Sequence, residues 1–212
     1  GEAWLYNTCS DVQGLLIERV TGQGLPDVLK ERLLEPLSMV DTDFEVPAAK
    51  RDRFVCRYGN GPDGKPVLFD APDGHWSKRP AFASGGAGLV STVGDWYAFG
   101  WMLLNKGRFG DRQILSEQAV VQMTSDQLTP DQRKNSGLFL DGQSWGFGGS
   151  VDVDPVNPWN TPGRYGWVGG TGTSAHIDPV RGTVAVLLTQ RDMTGPKAPA
   201  VMRDFWQVAA GG

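Results

Sequence analysis

None of the serines is followed by a lysine three residues on, so the chain holds no Ser-x-x-Lys, the spacing at which an amine serves a hydroxyl nucleophile. Gly172-Thr173-Ser174-Ala175-His176 stops one glycine short of the Gly-x-Ser-x-Gly elbow used by other serine hydrolases. Cys9 and Cys56 have no histidine close by in sequence and form no CxxC, so two unpaired thiols are expected. His75 and His176 are too few for a multi-histidine metal site, and no metal or cofactor is expected. Two segments still carry chemistry. In Trp4-Leu5-Tyr6-Asn7-Thr8-Cys9-Ser10-Asp11 a tyrosine stands just before a helix start. In Tyr165-Gly166-Trp167-Val168-Gly169-Gly170-Thr171-Gly172 the glycines beside a strand let backbone approach a ligand closely. Ser84-Gly85-Gly86-Ala87-Gly88 lacks the Lys-Ser/Thr ending of a phosphate loop and follows no strand, which argues against phosphate binding.

The elements that must position these segments follow from periodicity. Val12, Leu15, Leu16 and Val20 recur at helical spacing, with Ser10 or Asp11 as cap and Gly22 as stop. A second helix is predicted from Pro26 to Leu34, with Leu25, Leu29 and Leu33 inward and Pro36 ending it. Residues 54–70 read as a hairpin around Gly59–Gly64. Ser91 or Thr92 caps a helix to about Asn105, Ser116 caps a short one, and 126–143 reads as a polar excursion. Ser144–Val153, Tyr165–Gly169, Thr173–Ile177 and Thr183–Gln190 read as antiparallel strands, with Pro179–Gly182 as a turn. A last helix, about Ala198–Ala209, sets Val201, Phe205, Val208 and Ala209 against that sheet. Helices first and strands after give an α+β class. The expected division is a helical, loop-rich part over 1–143 and a sheet with its carboxy-terminal helix over 144–212.

Composition narrows the function classes. With 29 glycines and 14 prolines in 212 residues the chain is rich in loops, yet 40% apolar residues suffice for a core. A net charge of −4 argues against nucleic acid, and no apolar run is long enough to cross a membrane. The compartment and the oligomeric state stay open. The chain starts at Gly1-Glu2-Ala3-Trp4, with neither an initiating Met nor a signal peptide, and is expected to be the later part of a longer protein.

At Trp4-x-Tyr6-Asn7 and Asp11-Val12-x-Gly14-x-x-Ile17-Glu18-x-Val20-Thr21-Gly22 the sequence resembles the serine β-lactamase and penicillin-binding-protein-like superfamily. The branch is that of class C β-lactamases, D-alanyl-D-alanine carboxypeptidases and related esterases. The likeness continues through Glu35–Thr42, Gly85–Thr92, Ile114-Leu115-Ser116, Trp167-Val168-Gly169 and Ile177-Asp178-Pro179. It implies a β-lactamase/transpeptidase-like fold and acyl-enzyme hydrolysis of an ester, amide or β-lactam. Tyr6 would be the proton-transfer residue and Trp167-Val168-Gly169 the third motif, lining one cleft with it. The Gly170 N–H would be one oxyanion donor, and Thr8 would take the substrate-binding place of the tyrosine motif.

Three departures qualify that implication. The Ser-x-x-Lys is missing, so this chain alone is expected to be inactive. Thr8 stands where the motif has Asn or Ser, and a threonine cannot offer the two-way fork of an amide. Trp167 stands where the third motif often has Lys, which removes a cation for a β-lactam or peptide carboxylate. The last two lean towards apolar, esterase-like acyl substrates. A non-catalytic ligand-binding homologue is the alternative. A carbohydrate-binding β module is a more distant one, against which the helical stretches speak.

Overall fold

A computed structural model describes residues 1–211, which fall into two compact units. The helical unit comprises Tyr6–Trp96 with Gln190–Asp192, and the sheet unit comprises Gly1–Leu5, Tyr97–Thr189 and the chain from Met193 onward.

The helical unit opens with α1 (Cys9–Thr21), which stops at Gly22 with φ of 70°. Its predicted apolar stripe is real, but it faces outward: Val12, Leu16 and Val20 are 64%, 61% and 77% exposed, and Gly14 is the buried residue. The cap also differs from expectation. The helix begins on the Thr8 carbonyl, which accepts from Asp11 N at 3.0 Å, and no side chain caps it. A short helix, α2 (Leu25–Leu29), follows with proline in its first turn and runs on with wider winding over Lys30–Leu34 before Pro36. Glu18 ties the two together by accepting from Leu25 N at 2.8 Å. Leu25, Val28, Leu34, Leu37, Met39, Phe44 and Val46 are buried, each such side chain worth about 1.5–3 kcal/mol. The predicted hairpin is β1 (Arg57–Asn60) and β2 (Pro66–Asp70). Arg57 crosses to Asp192 through two bonds of 2.8 and 3.0 Å and lies over the Phe69 ring at 4.4 Å.

Helix α3 (Val93–Leu104) starts in this unit, where Thr92 caps it by accepting from Asp95 N at 3.1 Å, and ends in the sheet unit. A two-residue hairpin follows, β3 (Arg108–Phe109) and β4 (Arg112–Gln113). Next come α4 (Glu117–Met123), capped by Ser116, and α5 (Pro130–Lys134), which forms a capping box inside the expected polar excursion.

The sheet has five antiparallel strands in sequence order: β5 (Gln143–Trp145), β6 (Ser150–Asp152), β7 (Tyr165–Gly169), β8 (Thr173–Asp178) and β9 (Thr183–Leu188). Residues 144–153, read as one strand, turn back on themselves between β5 and β6, with Gly146 N donating to Gly149 O at 2.8 Å. Helix α6 (Ala200–Ala209) lies on the sheet through Met202 and Trp206, which are buried, whereas Val201 and Val208 are exposed. The helix is thus rotated about its axis from the predicted face, because its largest ring has a polar partner on the sheet. α3 covers the other face of the sheet at Ile177 and Val184.

Candidate active site

Of the tyrosine segment, Tyr6 onward belongs to the helical unit. Tyr6 is 47% exposed and stands three residues before α1. Asn7 and Thr8 link it to the helix, and Thr8 N donates to the Asn7 side chain at 2.9 Å. Cys9, the first residue of α1, is an exposed free thiol, and Cys56 is also unpaired.

The second segment belongs to the sheet unit. Its strand is predicted to the residue, β7 spanning Tyr165–Gly169. Trp167, Val168 and Gly169 pair with Ala175, Ser174 and Thr173 of β8. A tight turn closes the pair, Gly172 N donating to Gly169 O at 2.9 Å. Gly170 lies in that turn, exposed, with no atom within 4 Å of where a side chain would start. Its carbonyl is fixed by Met193 N at 2.8 Å. The wall at Trp167 is aromatic: the Trp145 ring meets it edge-on at 4.7 Å, and Trp4 meets Trp145 at 5.3 Å. Tyr165, the phenol on this strand, is buried, donates to Phe147 O at 2.7 Å, and is pushed up to about 12 by desolvation. It is therefore no source of phenolate near neutral pH.

Behind β7 lies a buried polar network that the sequence does not announce. The His176 ring sits opposite Gly166, where a Cβ would come within 2.7 Å of His176. Trp206 of α6 donates through Nε1 to Ser174 Oγ at 2.8 Å, and Ser174 Oγ lies 3.1 Å from His176 Nδ1. A serine beside an imidazole is the pairing that activates nucleophiles elsewhere. Here Ser174 and His176 are 2% and 4% exposed beneath Trp206, so no substrate reaches them. A full Gly-x-Ser-x-Gly string runs from Gly142 to Gly146. Its Ser144 is completely buried on a strand, with its hydroxyl on the Asp126 carboxylate, and no helix follows to make an elbow.

Burial first, and the Arg164 charge second, hold His176 well below the usual histidine range. The other charged groups around it are Asp178, which lines the same small cavity with Arg164 and Trp206, and Asp152, paired with Arg164. An unfolded imidazole takes its proton near pH 6.5, so below that pH the unfolded state binds more protons than the folded one. Stability is expected to fall by about 1.4 kcal/mol for each pH unit below about 6.5, until the folded ring also protonates. His176→Gln should remove that increment, which urea titrations at pH 7.5, 6 and 5 would reveal as a flatter profile.

A cavity of about 460 Å³ in the helical unit is lined by Leu34, Met39, Val46, Phe54, Asp41 and Lys50, among others, and by none of Tyr6, Thr8, Trp167, Val168, Gly169 and Gly170. One of its carboxylates is committed: Lys50 and Arg53 reach Asp41 at 2.7 and 2.8 Å and hold its carboxyl below the usual range. Among the described residues no His/Cys/Asp/Glu cluster could hold a metal ion, and no helix is long and apolar enough to cross a membrane.

The family model described as Beta-lactamase matches residues 1–206. The chain belongs to the β-lactamase family. An uncharacterized protein of Mycobacterium tuberculosis is 31% identical over 211 residues, a stretch covering 95% of this chain and 52% of that protein. Esterase EstB of Burkholderia gladioli is 28% identical over 219 residues, covering 94% of this chain and 52% of that protein. Among solved structures, a mutant of the simvastatin synthase LovD of Aspergillus terreus superposes with a TM-score of 0.81 at 23% identity, over 99% of this chain and 55% of that one. The β-lactamase/transpeptidase-like fold and the family expected from the sequence are therefore both correct. The chain spans about half the length of these relatives.

Proposed function

We propose that this chain supplies the proton-transfer tyrosine and the motif strand of a β-lactamase-family serine hydrolase that forms an acyl-enzyme on ester substrates. In this reading Tyr6 moves the proton of the nucleophile and of the leaving group. The Gly170 N–H donates to the oxyanion, Thr8 contacts the substrate, and Trp167, Val168 and Gly169 line it. The serine and its lysine come from a part of the intact gene product outside these residues. The observation that carries the ester preference is the edge-on Trp145–Trp167 pair at 4.7 Å: the motif wall is an apolar aromatic surface with a ring where a carboxylate-binding cation would stand. The likeness to an esterase supports the same choice. The open space at Gly170 suits an acyl carbonyl, since nothing bulky blocks approach to the backbone.

A charge-assisted hydrogen bond is worth about 1.5–3 kcal/mol, so lacking one to the carboxylate lowers kcat/KM by about ten- to a hundredfold. The intact gene product is thus expected to turn over p-nitrophenyl butyrate with a covalent acyl adduct visible by mass spectrometry, and nitrocefin at least about tenfold less efficiently. Faster turnover of nitrocefin would overturn the ester preference. No turnover and no adduct with either would overturn the hydrolase reading.

A further inference from the structure

The glycine-rich loop Ser84–Gly88 has no part in the function proposed so far, yet it is built into the first turn of α1. Asp11, which the sequence offers as a helix cap, does not cap. Its Oδ1 accepts from Ser84 Oγ at 2.5 Å and from Gly86 N at 3.2 Å. Ser84 Oγ in turn accepts from Gly86 N and Ala87 N at 3.1 and 3.0 Å, which folds the loop into a compact turn around one carboxylate oxygen. Gly85 then lies flat on the helix backbone: a Cβ there would overlap the Ser10 carbonyl oxygen and come within 3.3 Å of Gly14 N. Only a residue without a side chain allows this approach. The negative charge also sits in the first turn of a 13-residue helix, where the helix dipole favours it.

From these contacts we infer that Asp11, Ser84 and Gly85 form a clamp that positions Tyr6. Only Asn7 and Thr8 separate Tyr6 from α1, and both are engaged: Thr8 N bonds to the Asn7 side chain, and the Thr8 carbonyl starts the helix. Whatever fixes the first turn of α1 therefore fixes the backbone of Tyr6 through a two-residue link. The clamp residues touch no substrate; they act through the tyrosine. The inference rests on the reading of Tyr6 as the proton-transfer residue.

Misplacing a catalytic group by about 1 Å can cost about a hundredfold in rate. In the intact gene product, Asp11→Ala is expected to lower kcat on p-nitrophenyl butyrate by about ten- to a hundredfold with KM changed less than about twofold. Asp11→Asn keeps an acceptor at Oδ1 and should restore most of the rate. Cys9 gives a readout independent of turnover, because its exposed thiol opens α1. It should react several-fold faster with Ellman's reagent in Asp11→Ala, while Cys56 keeps its rate. If both thiols speed up together the variant has loosened globally, and the milder Ser84→Ala then decides on the same two readouts. Unchanged kcat in a folded Asp11→Ala overturns the inference, whatever Cys9 does. Full activity of Tyr6→Phe would instead sink the functional reading, and the Cys9 rates would still decide whether the clamp orders this turn.

Discussion

Tyr6→Phe in the intact gene product is expected to lower kcat for p-nitrophenyl butyrate by about 10²- to 10⁴-fold, the range for loss of a positioned acid–base group. KM should hardly move, because the ring and its contact area remain. A free phenol titrates near 10, so only about one in a thousand is ionised at pH 7. Bringing such a group into the working range takes roughly 4 kcal/mol of preferential stabilisation of the phenolate, and a lysine ammonium within about 4–6 Å is a source of it. In the proposed reading, that dependence is why the experiment is set in the intact gene product. Tyr6 is 47% exposed and bears little of the core, so the melting curve should stay in place, within about 0.5 kcal/mol in stability. Equal rates for the two proteins would dismiss the proton-transfer role. A lower rate with an early melt would place Tyr6 in the packing.

The largest effect on stability is expected from Asp152→Ala. The Asp152 side chain is 0% exposed, and its oxygens collect Gln143 Nε2 at 2.7 Å, Asn160 Nδ2 at 2.9 Å, Thr161 N at 3.1 Å and the Arg164 guanidinium at 3.4 Å. Arg164 is itself 7% exposed and lies over the Trp206 ring at 5.5 Å. Alanine would take from this buried cation its hydrogen-bonded carboxylate, leaving Asp178 as the remaining nearby negative charge, and would leave three further donors without that partner. Removing one partner of a buried pair costs about 3–5 kcal/mol. Urea unfolding of the sheet unit, followed by tryptophan fluorescence, should show a markedly lower midpoint with the slope preserved. Val201→Ala, on the exposed side of α6, should leave the midpoint nearly unchanged. If Asp152→Ala matches that control, the network contributes nothing net, as some buried pairs do.

What could be read from the residues was whatever is local. The carboxy-terminal end of β7 is legible because the aromatic and apolar run Tyr165, Trp167 and Val168 meets the glycines at 169, 170 and 172. Thr92 and Ser116 were recognisable caps, since a cap needs only a hydroxyl and the helix that follows. Orientation was less accessible. The spacing of Val12, Leu16 and Val20 defines a face but not which way it points, and in this chain it points outward. Asp11 looked like a cap because its partners, Ser84 and Gly86, lie more than seventy residues away. Asp152 gave no signal, and His176 none of its burial, since nothing in a sequence shows that Gln143, Asn160 and Arg164 converge on one carboxylate or that Trp206 reaches back to Ser174. The β5–β6 reversal was hidden by an apolar pattern that continues across its turn glycines.

The close seat of His176 on Gly166 has a practical side for anyone who would retarget this protein. Alternate residues of a strand project to opposite faces, so Gly166 and Val168 share the face that His176 and Ser174 present to Trp206, and Trp167 projects from the other. A mutant library aimed at new acyl groups has its freedom at Trp167. Randomising Gly166 along with it would fill the collection with misfolded clones and conceal any variant with altered selectivity.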